Sequence, residues 1–335
     1  MKRAILFELL CIACLIVIGS VSNIREKSQN TYIETSMETS IETKDREDFI
    51  KWVDCDVTYE ALCYAYQQDI DTYGQAIHLN WIDLIAYAAA KNGGAFPKSA
   101  IKDMTELSEK MIQKKITLKK ATRKMKYFDY YEEVYHAILD GYVGEYTRKT
   151  GGVTEKKYGL KVFLPIAKGF PYNDYDDFGV SRSYGYKRPH LGHDMMGQIG
   201  TPIIAVEDGY IEAIGWNQYG GWRIGIRSFD KKRYYYYAHM RQNYPYQSDL
   251  KEGSKVKAGE VIGYMGHTGY SAKENVNNID TVHLHFGIQL IFDESQKDGN
   301  GEIWINPYQL CRFLYKNQAE VEKVPDSKEW RATGK

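Results

Sequence analysis

An α+β protein is predicted: an N-terminal all-α helical domain followed by a mainly antiparallel β-sheet domain. Three observations predict it. Apolar residues recur at helical spacing between about residues 48 and 147. From about residue 159 short alternating runs take over, punctuated by glycine. Between the two, residues 148 to 158 are polar and include Gly151-Gly152, which places a domain boundary there.

At 335 residues the chain is long enough for about two domains, and a hydrophobic content of 43% supports real cores. Lys+Arg 44 balance Asp+Glu 44, so no global field draws the chain to nucleic acid. Met1-Lys2-Arg3 precedes an apolar run from Ala4 to Val21 that only Glu8 interrupts. Residues 1–22 therefore read as a signal peptide or a membrane anchor, with Lys2 and Arg3 left on the cytoplasmic side and the rest exported. The membrane is a partner if the segment stays uncleaved, and Ser20-Val21-Ser22 offers a small-residue cleavage site. Beyond this run only Cys55, Cys63 and Cys311 remain, an odd number that argues for buried free thiols over a disulfide framework.

Residues 23–47 are polar and repetitive, as in Ile33-Glu34-Thr35-Ser36 and Met37-Glu38-Thr39-Ser40. They hold too little apolar surface to offset the entropy of ordering and read as a disordered linker. The helical domain, residues 48–150, follows. Thr58 is a candidate N-cap ahead of Leu62, Ala65, Tyr66 and Ile70. Asn80 caps a second helix with Ile82, Leu84, Ile85 and Ala88 inward, ended by Asn92-Gly93-Gly94. Ile101, Met104, Leu107 and Met111 mark a third, and the aromatic-rich segment from Tyr127 to Tyr146 closes the bundle. His78 and His136 stand isolated and read as structural or surface histidines. The run Lys114, Lys115, Lys119, Lys120, Arg123, Lys124, Lys126 reads as a solvated face or as a patch for an anionic surface.

In the second domain, residues 203–206, 210–214, 223–227, 233–239 and 261–265 read as strands, with turn signals at Asp208-Gly209 and Gly220-Gly221. Residues 303–316, with Trp304, Ile305, Leu310 and Phe313, are expected to pack back on the sheet, and residues 317–335 to be a solvated tail.

Chemistry concentrates in a few histidines. Thr281-Val282-His283-Leu284-His285-Phe286-Gly287 is a strand in which His283 and His285 share one face while Leu284 and Phe286 face a core. Upstream lie His190-Leu191-Gly192-His193-Asp194 and Tyr234-Tyr235-Tyr236-Tyr237-Ala238-His239. One His-x-His is a weak signal; the ordered set is a strong one. Over about residues 160 to 290 it closely resembles the lysostaphin/LytM-type zinc endopeptidases that cut bacterial cell-wall peptides. Further matches are Phe178-Gly179, Gly200-Thr201-Pro202, Tyr219-Gly220-Gly221, Ile262-Gly263 and Thr268-Gly269.

The resemblance implies that His190, Asp194 and His285 bind one Zn²⁺ and that His239 and His283 are the catalytic histidines. It places the zinc metallopeptidase domain at residues 159–316, as an antiparallel β-sandwich with its site in a groove on one sheet. Two neutral imidazoles and a carboxylate suit zinc with an open position for water, and a nearby imidazole can move the proton or steady the oxyanion. Which of His239 and His283 does which stays open. Gly192 allows the tight path between the two ligands of the first motif. His193 stands where relatives carry an apolar residue and is expected to face away, with a site using His193 in place of His190 as the alternative. His267 is a turn residue or a groove residue, and Tyr184 or Tyr186 is a candidate oxyanion phenol. Residues 270–282 form a longer loop than relatives usually have, which leaves the cleaved peptide undecided. The implied function is an extracytoplasmic endopeptidase, membrane-anchored or secreted to the cell wall, that acts on peptidoglycan peptides. The alternative is a catalytically idle wall-binding scaffold or an activator of other wall hydrolases.

Overall fold

Thr58 opens the first helix as the spacing predicts: in extended conformation, its hydroxyl accepts from the Ala61 amide, and α1 runs Tyr59–Thr72. Asn80 caps α2, Trp81–Lys91, by accepting from the Ile82 amide, and Gly93 and Gly94 follow its end with positive φ. Then come α3 (Ser99–Ile112), the short α4 (Leu118–Thr122) and α5 (Phe128–Leu139). These features are those of a computed structural model, which describes residues 49–53, 55–150, 153–299 and 301–333, with backbone alone at 148–150. The expected signal peptide or anchor (1–22) and linker (23–47) lie outside the described residues. No helix among those described is long and apolar enough to cross a membrane.

The basic run does not share one helix face. Lys114 and Lys115 sit in a turn after α3, Lys119 and Lys120 in α4, and Arg123, Lys124 and Lys126 in the turns beyond it, all exposed.

The helices end at Leu139, short of residue 150. Residues read as the polar boundary instead form a hairpin, β1 (Val143–Thr150) with β2 (Val153–Leu160), antiparallel. Most of β2 is exposed on both faces, so no inward–outward alternation marks it in the sequence.

The remaining strands are β3 (Asn173–Asp174), β4 (Ser181–Tyr184), β5 (Tyr186–Pro189), β6 (His193–Met196), β7 (Pro202–Ile204), β8 (Gly209–Asn217), β9 (Gly221–Ser228), β10 (Arg233–Ala238), β11 (Lys255–Val256), β12 (Val261–Tyr264), β13 (His283–Leu290) and β14 (Ile303–Ile305). The main sheet has eight strands in the order β11-β8-β9-β10-β13-β6-β3, with β14 also on β13, and every pairing is antiparallel. β7–β12 and β4–β5 are separate two-stranded pairs. Strand periodicity divides the sheet's two faces. On β13, Leu284, Phe286, Ile288 and Leu290 enter the core while His283, His285 and Gln289 line a groove; on β10, Tyr235 and Tyr237 are core and Tyr234 and Tyr236 groove.

Helices and sheet share one apolar core. Phe313 of α6 (Tyr308–Leu314) stacks on Trp81 and meets Tyr66 edge-on, and Tyr142 and Tyr235 join hydroxyls at 2.9 Å. Arg233, only 1% exposed, ties the two parts further. Its Nη1 donates to the Ala137 carbonyl at 2.6 Å and its Nη2 to the Asp140 carbonyl at 3.0 Å, while Nε and Nη2 hold the Glu207 carboxylate. A buried guanidinium persists only with its donors filled this way.

The solvated tail expected over 317–335 is corrected. β15 (Val321–Lys323) pairs with β16 (Trp330–Ala332), Trp330 meets Phe170 edge-on at 5.2 Å, and Ala319 is buried. Val321 and Trp330, one from each strand, pack against the apolar cluster of Ala167, Ile204, Val261, Tyr264 and Ala319 and hold the hairpin down.

Candidate active site

The cross-strand register of β6, β13 and β10 builds the site. His285 faces Asp194 on β6 and Ala238 on β10, so the carboxylate and the end of β10 flank one imidazole. His239 is the first residue beyond β10 and takes φ 61, a left-handed conformation uncommon outside glycine, which turns its ring back over the strand end. Its amide donates to the Gly220 carbonyl at 2.7 Å. His190 sits in the turn between β5 and β6, pinned by backbone bonds to Gly179 and Val180.

Nε2 of His190 lies 2.9 Å from Oδ1 of Asp194 and 2.8 Å from Nδ1 of His285, and that Nδ1 is 3.0 Å from the same carboxylate oxygen. One ligand atom from each residue falls within 4.8 Å of the others. His283 points Nε2 to 3.7 Å from Asp194, and its ring centroid is 4.7 Å from that of His239. All five residues expected in the site are thus brought together on one wall of a groove of about 970 Å³.

Hydrogen bonds select the tautomers. A carbonyl oxygen only accepts, so Nδ1 carries the proton in His190 (to Asp177, 3.0 Å), His239 (to Thr268, 2.9 Å) and His283 (to Thr281, 2.8 Å). In neutral form each therefore turns an Nε2 lone pair inward. Nε2 of His190, Nδ1 of His285 and Oδ1 of Asp194 face one another at 2.8–3.0 Å, close enough to share one ion. Two nitrogens and one oxygen are a fitting donor set for zinc.

Asp177, with no exposed side-chain surface, organises this wall from behind. Its carboxylate lies 2.6 Å from Nη2 of Arg182 and 3.2 Å from Nδ1 of His190, and it accepts from the Asp194 amide at 3.4 Å. Burial alone favours protonating it, but the bonds from His190 and His193 prevail and hold it down at about 2. Burial likewise opposes charge on His190, yet Asp177 and Asp194 outweigh it and raise this imidazole to about 9. At Asp194 burial is overcome by His190 and His285, which hold the carboxyl well below its usual range. His239 is pushed well down, first by burial and then by His283 and His285.

His193 is turned away, as its neighbour position on β6 requires: it is buried, with Nε2 2.9 Å from Asp174. His267 points into its own loop, its Nδ1 donating to the Ile279 carbonyl at 2.7 Å. Tyr186 lines the groove, while Tyr184 lies stacked on Tyr270 at 4.7 Å. His78 and His136 are engaged by Asp69 and by Asp140. Asp83, Glu132 and His136 also come within 4.8 Å of one another, but at a half-exposed helix surface with Nδ1 of His136 already held by Asp140.

Sequence reasoning missed Asp177, Arg182, Arg188 and Tyr270. Asp177 adjoins the quoted Phe178-Gly179 and carried that one signal; the others are single residues among 44 Lys+Arg and 29 Tyr.

The family model of peptidase family M23 matches residues 188–299, the stretch that contains all five converging side chains and the whole of β13. Residues 188–299 are a peptidase family M23 domain. The L-Ala–D-Glu endopeptidase of Bacillus subtilis (strain 168) is 33% identical over 160 residues, 48% of this chain and 45% of its own. The glycyl-glycine endopeptidase ALE-1 of Staphylococcus capitis is 35% identical over 120 residues, 36% of this chain and 28% of its own. The chain thus spans less than half the length of these curated relatives. A crystal structure from Ruminococcus gnavus ATCC 29149, of a lytM protein provisionally described as a glycyl-glycine endopeptidase, aligns with a TM-score of 0.52 at 26% identity. That alignment covers 80% of this chain and 91% of the other, so it reaches beyond the M23 domain.

Proposed function

We propose that the protein is an exported zinc-dependent endopeptidase that hydrolyses peptide bonds in bacterial cell-wall peptidoglycan. The observation that carries this reading is the convergence of His190, Asp194 and His285 beside two further histidines with inward Nε2 atoms. The relatives' names, both endopeptidases, support the reaction class.

His190, Asp194 and His285 would hold the ion, and zinc bound there supplies Lewis acidity and an activated water. Asp177 and Arg182 keep His190 and Asp194 in place, so the ligands need not reorganise. His239 and His283, each with Nδ1–H committed to a carbonyl, can accept a proton at Nε2 or donate one from it in the charged form. The groove orients an extended peptide across both rings. The expected location is outside the cytoplasm, membrane-anchored or secreted to the wall.

The test is zinc analysis together with mass spectrometry of fragments released from purified wall. One zinc per chain and new amino termini among the fragments are expected. Asp194→Ala should lose the zinc, and His283→Ala should release no fragments. Stoichiometric zinc with intact wall peptides would favour an idle scaffold or an activator instead.

A further inference from the structure

A cation with no ion-pair partner among the described residues stands on the groove wall near His239. Arg188, on β5 and half-buried, has its guanidinium carbon 5.9, 5.1 and 5.4 Å from the ring centroids of Tyr186, Tyr219 and Tyr270. Nη2 donates to the Tyr270 hydroxyl at 3.1 Å. Nη1 is buried and has no hydrogen-bond partner among the described residues. Arginine ion pairs among those residues involve Arg182, Arg227, Arg233 and Arg331, and none involves Arg188.

The cage holds its shape. Tyr184 stacks on Tyr270 with planes 8° apart, and Tyr219 meets Tyr184 and Tyr186 edge-on. Tyr270 in turn lies edge-on to His239 at 6.0 Å, so the guanidinium is one ring removed from a proposed catalytic residue. Aromatic faces attract the charge but leave the planar donors of the fork unfilled. A buried donor with no acceptor is costly, and the group that fits a guanidinium fork is a carboxylate. Two carboxylates lining the groove are engaged elsewhere: Glu212 with Lys297 at 3.0 Å and Glu302 with Trp304 at 2.6 Å.

We propose that Arg188 is a specificity-determining residue that binds a carboxylate on the substrate residue next to the cleaved bond, so that the groove selects an acidic peptide over a glycine bridge. This rests on reading the groove as a peptidase site. An L-Ala–D-Glu bond has such a residue beside it; an internal Gly-Gly bond has none.

The test uses the zinc-loaded full chain and two C-terminally amidated tripeptides, L-Ala-D-Glu-L-Lys and L-Ala-D-Gln-L-Lys, with binding by calorimetry and cleavage in parallel. The D-Glu peptide should bind about tenfold tighter than the D-Gln peptide, one charge-assisted pair's worth. Arg188→Gln should bring that ratio near one, and Arg188→Lys should keep part of it. Equal or absent binding of both peptides to the wild type overturns the proposal, as does a preference undiminished in Arg188→Gln. If Arg188→Gln does not fold, the wild-type ratio and Arg188→Lys decide. A binding preference without cleavage of peptide or wall would sink the peptidase reading and leave the carboxylate subsite standing.

Discussion

Asp177 holds Arg182 at 2.6 Å from a position with no solvent exposure, and Arg182 in turn reaches Asp194 at 3.3 Å. The guanidinium therefore keeps two carboxylates together that would otherwise repel across the ligand wall. Asp177→Asn removes the charge but preserves the backbone carbonyl that orients His190. Zinc affinity should fall about 10- to 100-fold, as for other partners that position metal ligands. Competition with a chelator of known affinity measures it; unchanged affinity would show that Asp177 is only a packing residue.

His239→Ala and His283→Ala should separate chemistry from metal binding. Neither supplies one of the three converging ligand atoms. Each should lower wall hydrolysis by at least about 10²-fold, the scale of a lost general acid or base, while zinc stays stoichiometric. His285→Ala should lose both.

Gly192 is fixed by space. A Cβ there would stand 2.6 Å from Cε1 of His285 and 2.8 Å from the Phe286 carbonyl. Gly192→Ala must displace the imidazole or the strand. Reduced zinc content in a protein that still melts cooperatively is the expected result, read by metal analysis and calorimetry.

His136 gives the helices a pH signature of their own. Bonds to Asp140 first, then to Asp83, outweigh burial and raise it to about 10, with Glu132 also facing it. A pKa raised on folding means stability present in full below the unfolded value of about 6.5 and lost as pH climbs through about 10. Urea midpoints of wild type and His136→Gln should therefore differ most near pH 6 and converge above pH 10. A gap that widens with pH would contradict the ion pairing.

Deleting residues 319–335 tests the corrected tail. Ala319, Tyr264 and Trp330 belong to one apolar cluster, and the Trp330 amide donates to the Tyr264 hydroxyl at 2.9 Å. The truncated protein should melt several degrees lower, whereas a truly solvated tail would leave the midpoint unmoved.

Local chemistry explains what was legible beforehand. Thr58 and Asn80 cap helices through bonds two or three residues away, and strict alternation put His283 and His285 on one face. The five site residues were readable because their motifs recur in a known order. The β1–β2 hairpin was not, since its exposed β2 carries charges on successive residues and no apolar period. Nor was the tail hairpin, which depends on Trp330 finding Phe170 some 160 residues earlier in the chain. Arg188 and Asp177 escaped for a related reason: a lone arginine or aspartate acquires meaning only from what folding sets around it.

Arg233 bears on how this protein can be handled. Cutting the chain at residue 159, ahead of the M23 domain, would take away the Ala137 and Asp140 carbonyls, the acceptor of Nη1 among them, while Glu207 and Asp230 remained, leaving part of a buried guanidinium unsatisfied in an opened interior. The half that carries the groove is consequently not a cassette to be grafted alone, and any chimera should carry the helices along with it.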